Sequence, residues 1–197
     1  ILYTNDEYDL YSYKLSTPYD ISSATYTGNR LDFEDNSVDG FGFNKDGTKL
    51  FEAGDRFSSW ELNEAYNITT ATSTGAKIYE FPGRYIEFNK DGTKLYATDY
   101  DKNIRTYELN NPYSLEKNFQ AKERFDPESD YARGLEFNKN GTKLFDIGTG
   151  EEIHSYTLNE PYNLTTASYT GNQITTQGSR SKGIVFNENG TKMYEIN

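Results

Sequence analysis

The chain has 197 residues, only 34% of them apolar, yet it holds 18 Tyr and 12 Phe and carries a net charge of −11. That charge argues against nucleic acid, because phosphate binding relies on clustered Lys and Arg, and it disfavours anionic membrane surfaces. With no cysteine, disulfides and thiolate metal sites are excluded, and no stretch approaches the roughly 20 apolar residues of a membrane span.

The chain opens on Ile1-Leu2-Tyr3, with neither an initiator Met nor a signal-like segment, so it reads as a processed product or a window of something longer. Leu2 to Asn5 predicts a short strand, and Tyr13-Lys14-Leu15 lies in a second. A turn at Pro18-Tyr19 follows. Then comes Phe43-Asn44-Lys45-Asp46-Gly47-Thr48-Lys49-Leu50, a phrase that recurs from Phe88, Phe137 and Phe186 with a period of roughly 45 to 49 residues. The phrase Tyr13-Lys14-Leu15 recurs as Trp60-Glu61-Leu62, Tyr107-Glu108-Leu109 and Tyr156-Thr157-Leu158 with the same period.

Each repeat predicts four strands. The first alternates apolar residues at period two, as in Tyr85-Ile86-Glu87-Phe88. It ends at Asp46-Gly47, Asp91-Gly92, Asn140-Gly141 or Asn189-Gly190, dipeptides suited to a two-residue type I′ hairpin turn. The second runs as Thr-Lys-Leu-Phe or Thr-Lys-Leu-Tyr, and Ile153 to Leu158 typifies the third. The fourth, near Tyr169 to Thr176, is the most variable and is expected at the outer edge. Tyr, Phe and Thr all favour strands, and no segment has a helical period. The core is expected to be built largely of aromatic rings.

A period of 40 to 50 residues with four antiparallel strands is the signature of a propeller blade. The sequence therefore predicts an all-β fold, a single β-propeller domain over residues 1–197 with about four blades. The phrase Phe-Asn-Lys-Asp-Gly-Thr-Lys-Leu-Tyr resembles that of the WD-repeat, TolB-like and YVTN-type surface propellers. It departs from them in having Asn-Lys or Asn-Glu for Ser-Pro, and Tyr-x-Leu where WD repeats have Trp-Asp. The resemblance implies architecture and points toward bacterial or viral surface proteins.

Counting strands leaves one over. First, third and fourth strands each occur four times, whereas the second occurs five times, at Leu2 and at Met193 among other places. Joining 182–197 to Leu10–Leu15 and the strand after it would close a fourth blade and leave Ile1, Leu2, Tyr3, Thr4 and Asn5 redundant. Two accounts stand open: a segment of a longer propeller, or a strand donated to a neighbouring subunit, whose heterologous contacts give rings or filaments.

Catalytic constellations are wanting. His154 is the lone histidine and reads as an edge-strand side chain; no G-x-S-x-G, P-loop or G-x-G-x-x-G is present. Glu87 and Glu136 occupy matching places in successive first strands, where two carboxylates could serve a glycosidase, but charged groups in a wet channel account for them as well. Asp99-Tyr100-Asp101-Lys102-Asn103 has the D-x-D-x-N spacing of a calcium loop through Asp99, Asp101 and Asn103, yet Ile104 stands where such a loop has Gly. Asn67, Asn140, Asn163 and Asn189 head glycosylation sequons, although turn chemistry also accounts for them.

By analogy with propellers in general, ligands are expected at the channel rim. Arg84, Arg133 and Lys182 hold matching positions there, with Asp55, Arg56, Glu151 and Glu152 nearby, and Tyr100 and Phe57 offer rings for a sugar to stack on. The leading expectation is a non-catalytic extracellular or virion-surface scaffold or adhesion protein, without cofactor, that pairs with copies of itself. A carbohydrate-binding propeller is the alternative, and a glycosidase or lyase comes last.

Overall fold

A computed structural model describes residues 1–197 except 7, 34–37, 80–82, 116–119, 178–180, 188 and 197. The chain folds as an all-β propeller. Strands β1 (Leu2–Asn5), β2 (Asp9–Leu15) and β3 (Ala24–Asp32) form an N-terminal sheet of three strands. Three complete blades follow. They are β4 (Val38–Phe43) to β7 (Ala71–Ile78), β8 (Gly83–Phe88) to β11 (Ala121–Phe125), and β12 (Ala132–Phe137) to β15 (Ala167–Thr175). A hairpin of β16 (Gly183–Phe186) and β17 (Met193–Ile196) ends the array.

Within each blade the strands run antiparallel in chain order, so the fourth is outermost, as the sequence predicts. The innermost strands β4, β8, β12 and β16 pack side by side in series. All five second strands are present, and their distribution corrects the expected closure. Among the described residues no ladder joins β16 and β17 to β2 and β3. Nor is β1 redundant: it pairs with β2 from Leu2 opposite Tyr13 to Asn5 opposite Leu10.

The turn after each first strand also differs from the expected type I′ form. Of its residues only Gly47 has positive φ, at +72°, and its N–H donates to the Asn44 carbonyl at 3.0 Å. This is a type I turn, with Asn first and Gly fourth. Asn44 accepts from Lys49 N–H at 2.8 Å and donates to Thr48 Oγ1 at 3.1 Å, while Thr48 Oγ1 donates to Asp46 Oδ1 at 2.6 Å. Asn89, Asn138 and Asn187 build the same network in their repeats.

A tyrosine locks that turn. Tyr66, Tyr113 and Tyr162 sit at φ +60°, +54° and +60° in the loop between third and fourth strands. Each ring lies so close over Gly47, Gly92 or Gly141 that a Cβ there would fall within 2.4 Å of ring carbon. Each hydroxyl donates to the carbonyl of Lys45, Lys90 or Lys139. Glycine is thus required twice, for positive φ and for the ring.

The same tyrosines finish a three-ring stack that ties blade to blade. Tyr3, Phe51 and Tyr96 of second strands pack on Phe43, Phe88 and Phe137 of the next first strand, with centroids 4.8, 4.6 and 4.6 Å apart. Those rings pack in turn on Tyr66, Tyr113 and Tyr162 at 5.5, 5.1 and 5.3 Å. Elsewhere the core departs from the expected one: among the described residues buried Leu and Ile outnumber the buried aromatic rings.

Candidate functional site

The first strands carry a repeated irregularity at the channel mouth. In β4 the pairing passes from Val38 opposite Gly54 to Gly40 opposite Ala53, so Asp39 has no partner. Arg84 is skipped in the same way between Gly83 and Tyr85, and Arg133 between Ala132 and Gly134. A bulge of this kind drops one residue out of the ladder and re-aims its side chain. Lys182 immediately precedes β16 at the matching place. Neighbouring first strands approach so closely here that a Cβ on Gly40 would lie 2.8 Å from the Arg84 carbonyl, and one on Gly134 2.7 Å from Gly183 Cα.

The four bulge-position side chains, Asp39, Arg84, Arg133 and Lys182, line one cavity of 420 Å³. Tyr100 joins them: its hydroxyl donates to Asp39 Oδ2 at 3.3 Å, and the Arg84 guanidinium lies over its ring at 5.0 Å. The structure therefore brings Arg84, Arg133, Lys182 and Tyr100 together as the sequence expects. It adds Asp39, which the sequence does not flag because an acid stands there where the other repeats carry a cation. Three positive groups face one carboxylate, in a chain whose net charge is −11. Arg133 Nε is buried without a hydrogen-bond partner.

Other rim expectations fail. Phe57 is 1% exposed and belongs to the core, so it offers no sugar platform. Arg56 is buried too, 3.9 Å from Glu52 and donating to Ser58 Oγ at 3.0 Å.

The calcium reading of Asp99, Asp101 and Asn103 is also displaced by hydrogen bonding. Asp99 Oδ1 accepts from the N–H groups of Asp101 and Asn103 at 2.9 and 2.8 Å, and Oδ2 accepts from Arg105 Nε at 2.6 Å. Asn103 turns its amide N–H, not its oxygen, toward Asp99, and its oxygen accepts from Arg124 at 2.7 Å. Burial alone would push the Asp99 carboxyl up, but the Asn103 N–H and the Arg105 guanidinium outweigh it and hold it below the usual range. Arg105 thus engages an oxygen that a metal site would draw on. Among the described residues no three His, Asp or Glu side chains cluster as metal ligands.

Glu87 lines a 280 Å³ cavity and Glu136 the wider one beside it, both edged by Lys45, Lys90 and Lys139, and the two carboxyls are near enough for the charge of Glu136 to act on Glu87. Burial pushes both carboxyls up, and the Glu136 charge raises Glu87 further; Glu136 reaches about 7. Tyr85 beside them is raised by burial and then by both glutamates. His154 lies within the sheet, not at its edge: it sits on β14 (Glu152–Leu158) between two strands and is 4% exposed. Its Nδ1 is 4.0 Å from Asp146 Oδ1. Burial pushes the Asp146 carboxyl up against the pull of Ser129, Tyr156 and His154. Here the acid stands between Ser129 and His154, which is not the order a nucleophilic triad needs.

The sequon asparagines all have structural work. Asn67 and Asn163 cap the 3-10 turns Ile68–Thr70 and Leu164–Thr166 and donate to Glu64 and Glu160 at 2.8 Å. Asn140 and Asn189 accept from the Thr two residues on, as Asp46 and Asp91 do.

No protein-family model matches the chain, and no curated protein matches it. Solved structures do. A functionally unknown protein from Desulfotomaculum acetoxidans superposes with a TM-score of 0.57 at 12% identity, covering 96% of this chain and 56% of that one. A putative 6-phosphogluconolactonase from Bacteroides uniformis gives 0.59 at 13%, covering 98% and 62%. The WD40 repeats of RRP9 give 0.51 at 15%, covering 75% and 41%. The likeness is one of fold. The chain spans about half to three-fifths of the first two structures' length.

Proposed function

We propose that this chain is a non-catalytic binding scaffold, displayed on a bacterial or viral surface, whose channel mouth takes an anionic carbohydrate. One observation carries the reading. A bulge in successive first strands lifts Asp39, Arg84 and Arg133 out of the ladder, and with Lys182 they converge on one 420 Å³ cavity. Unpaired backbone at equal places in three blades costs ladder hydrogen bonds, and converging side chains are what it yields. Two guanidiniums suit a carboxylate or sulfate, which they grip through paired N–H groups. Arg84 covers one face of Tyr100, so recognition here rests on charge more than on ring stacking.

A hydrolase reading draws on the Glu87–Glu136 pair and on the name of the Bacteroides uniformis protein, at 13% identity. Glycosidases hold one carboxyl protonated and its partner ionised. Here both Glu87 and Glu136 are pushed in the same direction. Support for surface display comes from the repeat phrase, which resembles that of YVTN-type and TolB-like propellers.

Titration calorimetry with uronic-acid oligosaccharides, against neutral ones of equal length, tests the proposal. The acidic series should bind, and Arg84→Ala or Arg133→Ala should weaken it about tenfold each, the worth of one charged hydrogen bond. Equal binding of the neutral series, or no effect of either substitution, refutes it.

A further inference from the structure

One of the bulge positions carries the opposite charge. Arg84, Arg133 and Lys182 stand at the channel mouth, and in β4 the same place holds Asp39. β4 and β8 are neighbours, so close that a Cβ on Gly40 would lie 2.8 Å from the Arg84 carbonyl. An acid and a guanidinium in adjoining bulges would ordinarily pair, as Arg30 does with Asp9 at 2.9 Å and Arg105 with Asp99 at 2.6 Å. Here they stay apart. Among the described residues, Asp39, Arg84, Arg133 and Lys182 form no ion pair.

Tyr100 separates the two charges. It lies in the turn between β9 (Lys94–Asp99) and β10 (Ile104–Glu108). Its hydroxyl donates to Asp39 Oδ2, while the Arg84 guanidinium is drawn to its ring face instead of to the acid. Burial, and then the charges of Asp39 and Asp55, push that hydroxyl up to about 12, so at neutral pH it keeps its proton and donates. Asp55 is exposed in the turn between β5 (Lys49–Gly54) and β6 (Phe57–Leu62) and adds a second acid on the Asp39 side. The mouth is therefore polarised, with its acids on the blade of β4 to β7 and its cations on the first strands that follow. Asp39, Asp55, Arg84, Tyr100 and Arg133 all lie within the three complete blades, so whatever flanks those blades leaves this polarity in place.

A ligand that answers this polarity carries an acid group at one end and a hydrogen-bond donor at the other. An ammonium group would be set among three cations that repel it, so the donor that fits beside Asp39 is a neutral hydroxyl. The Tyr100 hydroxyl already shows the contact: a carboxylate accepts from an uncharged O–H. A sulfate ester on the same ligand hydroxyl would remove the donor and place an anion against Asp39. Charge alone would favour the more highly sulfated sugar at a mouth with three cations. Asp39 works against that preference, as a repulsive element that sorts ligands of similar shape.

We infer that Asp39 is a specificity-determining residue: the channel mouth takes uronic sugars with free hydroxyls, one of which donates to Asp39, and rejects the same sugars once those hydroxyls are sulfated. This rests on the reading of the mouth as a site for an anionic carbohydrate. Of the two anions that paired guanidiniums suit, it selects the carboxylate over the sulfate.

Titration calorimetry on the full chain, at one ionic strength, compares uronic-acid oligosaccharides with the same oligosaccharides O-sulfated on their ring hydroxyls. The parent should prefer the free-hydroxyl series about tenfold, although that series carries less charge. Asp39→Asn keeps the size of the side chain and removes its charge, and should bring the ratio to one or invert it. Asp39 is exposed and skipped by the ladder, and circular dichroism checks that the variant keeps the parent fold. Arg133→Ala should weaken both series and leave the preference for free hydroxyls in place. A parent that prefers the sulfated series, or a ratio unchanged in Asp39→Asn, overturns the inference while the preference for acidic over neutral sugars stands. Failure of the acidic series to outbind the neutral one removes the anionic-carbohydrate site, and the inference with it.

Discussion

The tyrosine over the turn offers a comparison of one residue type in one backbone conformation, with and without its partners. Tyr162 packs on Phe137 at 5.3 Å, covers Gly141 and donates its hydroxyl to the Lys139 carbonyl at 3.2 Å. Full burial of an aromatic ring makes its truncation cost 3–5 kcal/mol, so this half-buried ring and its hydrogen bond should cost about 2–3 kcal/mol in Tyr162→Ala. Ala keeps the strain of positive φ and Gly does not, so Tyr162→Gly should be about 1 kcal/mol more stable than Tyr162→Ala. Tyr19 shares the conformation but is 92% exposed. There Tyr19→Ala should fall within about 0.5 kcal/mol of the parent, and Tyr19→Gly should stabilise by about 1 kcal/mol. Urea unfolding followed by circular dichroism measures all four. Equal losses at the two sites, or a Gly variant weaker than Ala at 162, would refute the account of the clip.

The Glu87–Glu136 pair sets a pH dependence of unusual sign for carboxyl groups. Glu136 is raised to about 7 from 4.5, so the folded chain keeps a proton that the unfolded chain has released across that interval. Its contribution is therefore favourable below about pH 4.5 and is lost as pH rises through 7, by roughly 1–2 kcal/mol once channel water is allowed for. Glu136→Gln should flatten this segment of the melting-temperature profile and raise stability at pH 8, because it removes the buried carboxyl itself; an unchanged profile would show that burial does not raise that carboxyl. Asn140→Asp should be neutral at pH 7, because Asp46 and Asp91 accept the same Thr hydroxyl in their turns. A loss above about 1 kcal/mol in urea would mean that the Asn140 amide has a role of its own.

The repeat was legible because its phrase is satisfied within itself. Asn44, Gly47 and Thr48 bond one another, so their order in sequence is their order in space. Two things were not legible. Asp46-Gly47 suggests a two-residue turn, but Asn44 two positions earlier captures Gly47 N–H and lengthens the turn, a capture that dipeptide reasoning does not weigh. The bulge leaves no mark in the hydrophobic pattern, because the skipped residue lies just before the alternation starts. Its trace is the glycine beside it: Gly40, Gly134 and Gly183 follow the bulge position, and Gly83 precedes its own. The rim cations were found without the bulge, since matching positions in repeats must lie at matching heights. Phe57 and His154 were misplaced for a different reason: neighbouring strands and blades cover them, and sequence alone does not show which faces are covered.

The separation between frame and rim can itself be tested. Residues of the turn, the tyrosine and the three-ring stack have partners inside the array, so a change there disturbs the fold. The bulge residues are skipped by the ladder, and they vary in charge from Asp39 to Arg84, Arg133 and Lys182 without altering the blades around them. Charge at this place should therefore govern what binds and leave the fold alone. Arg133→Glu leaves the backbone ladder intact and, at a half-buried position facing the cavity, should change unfolding free energy by no more than about 1 kcal/mol. It converts a cavity with three cations and one carboxylate into one with two of each. Acidic oligosaccharides should then lose binding by about a hundredfold, since an attraction is replaced by a repulsion. Titration calorimetry and urea unfolding on the same preparation decide the matter. Unchanged affinity would remove the site from the channel mouth, and a stability loss above about 2 kcal/mol would show that Arg133 belongs to the frame.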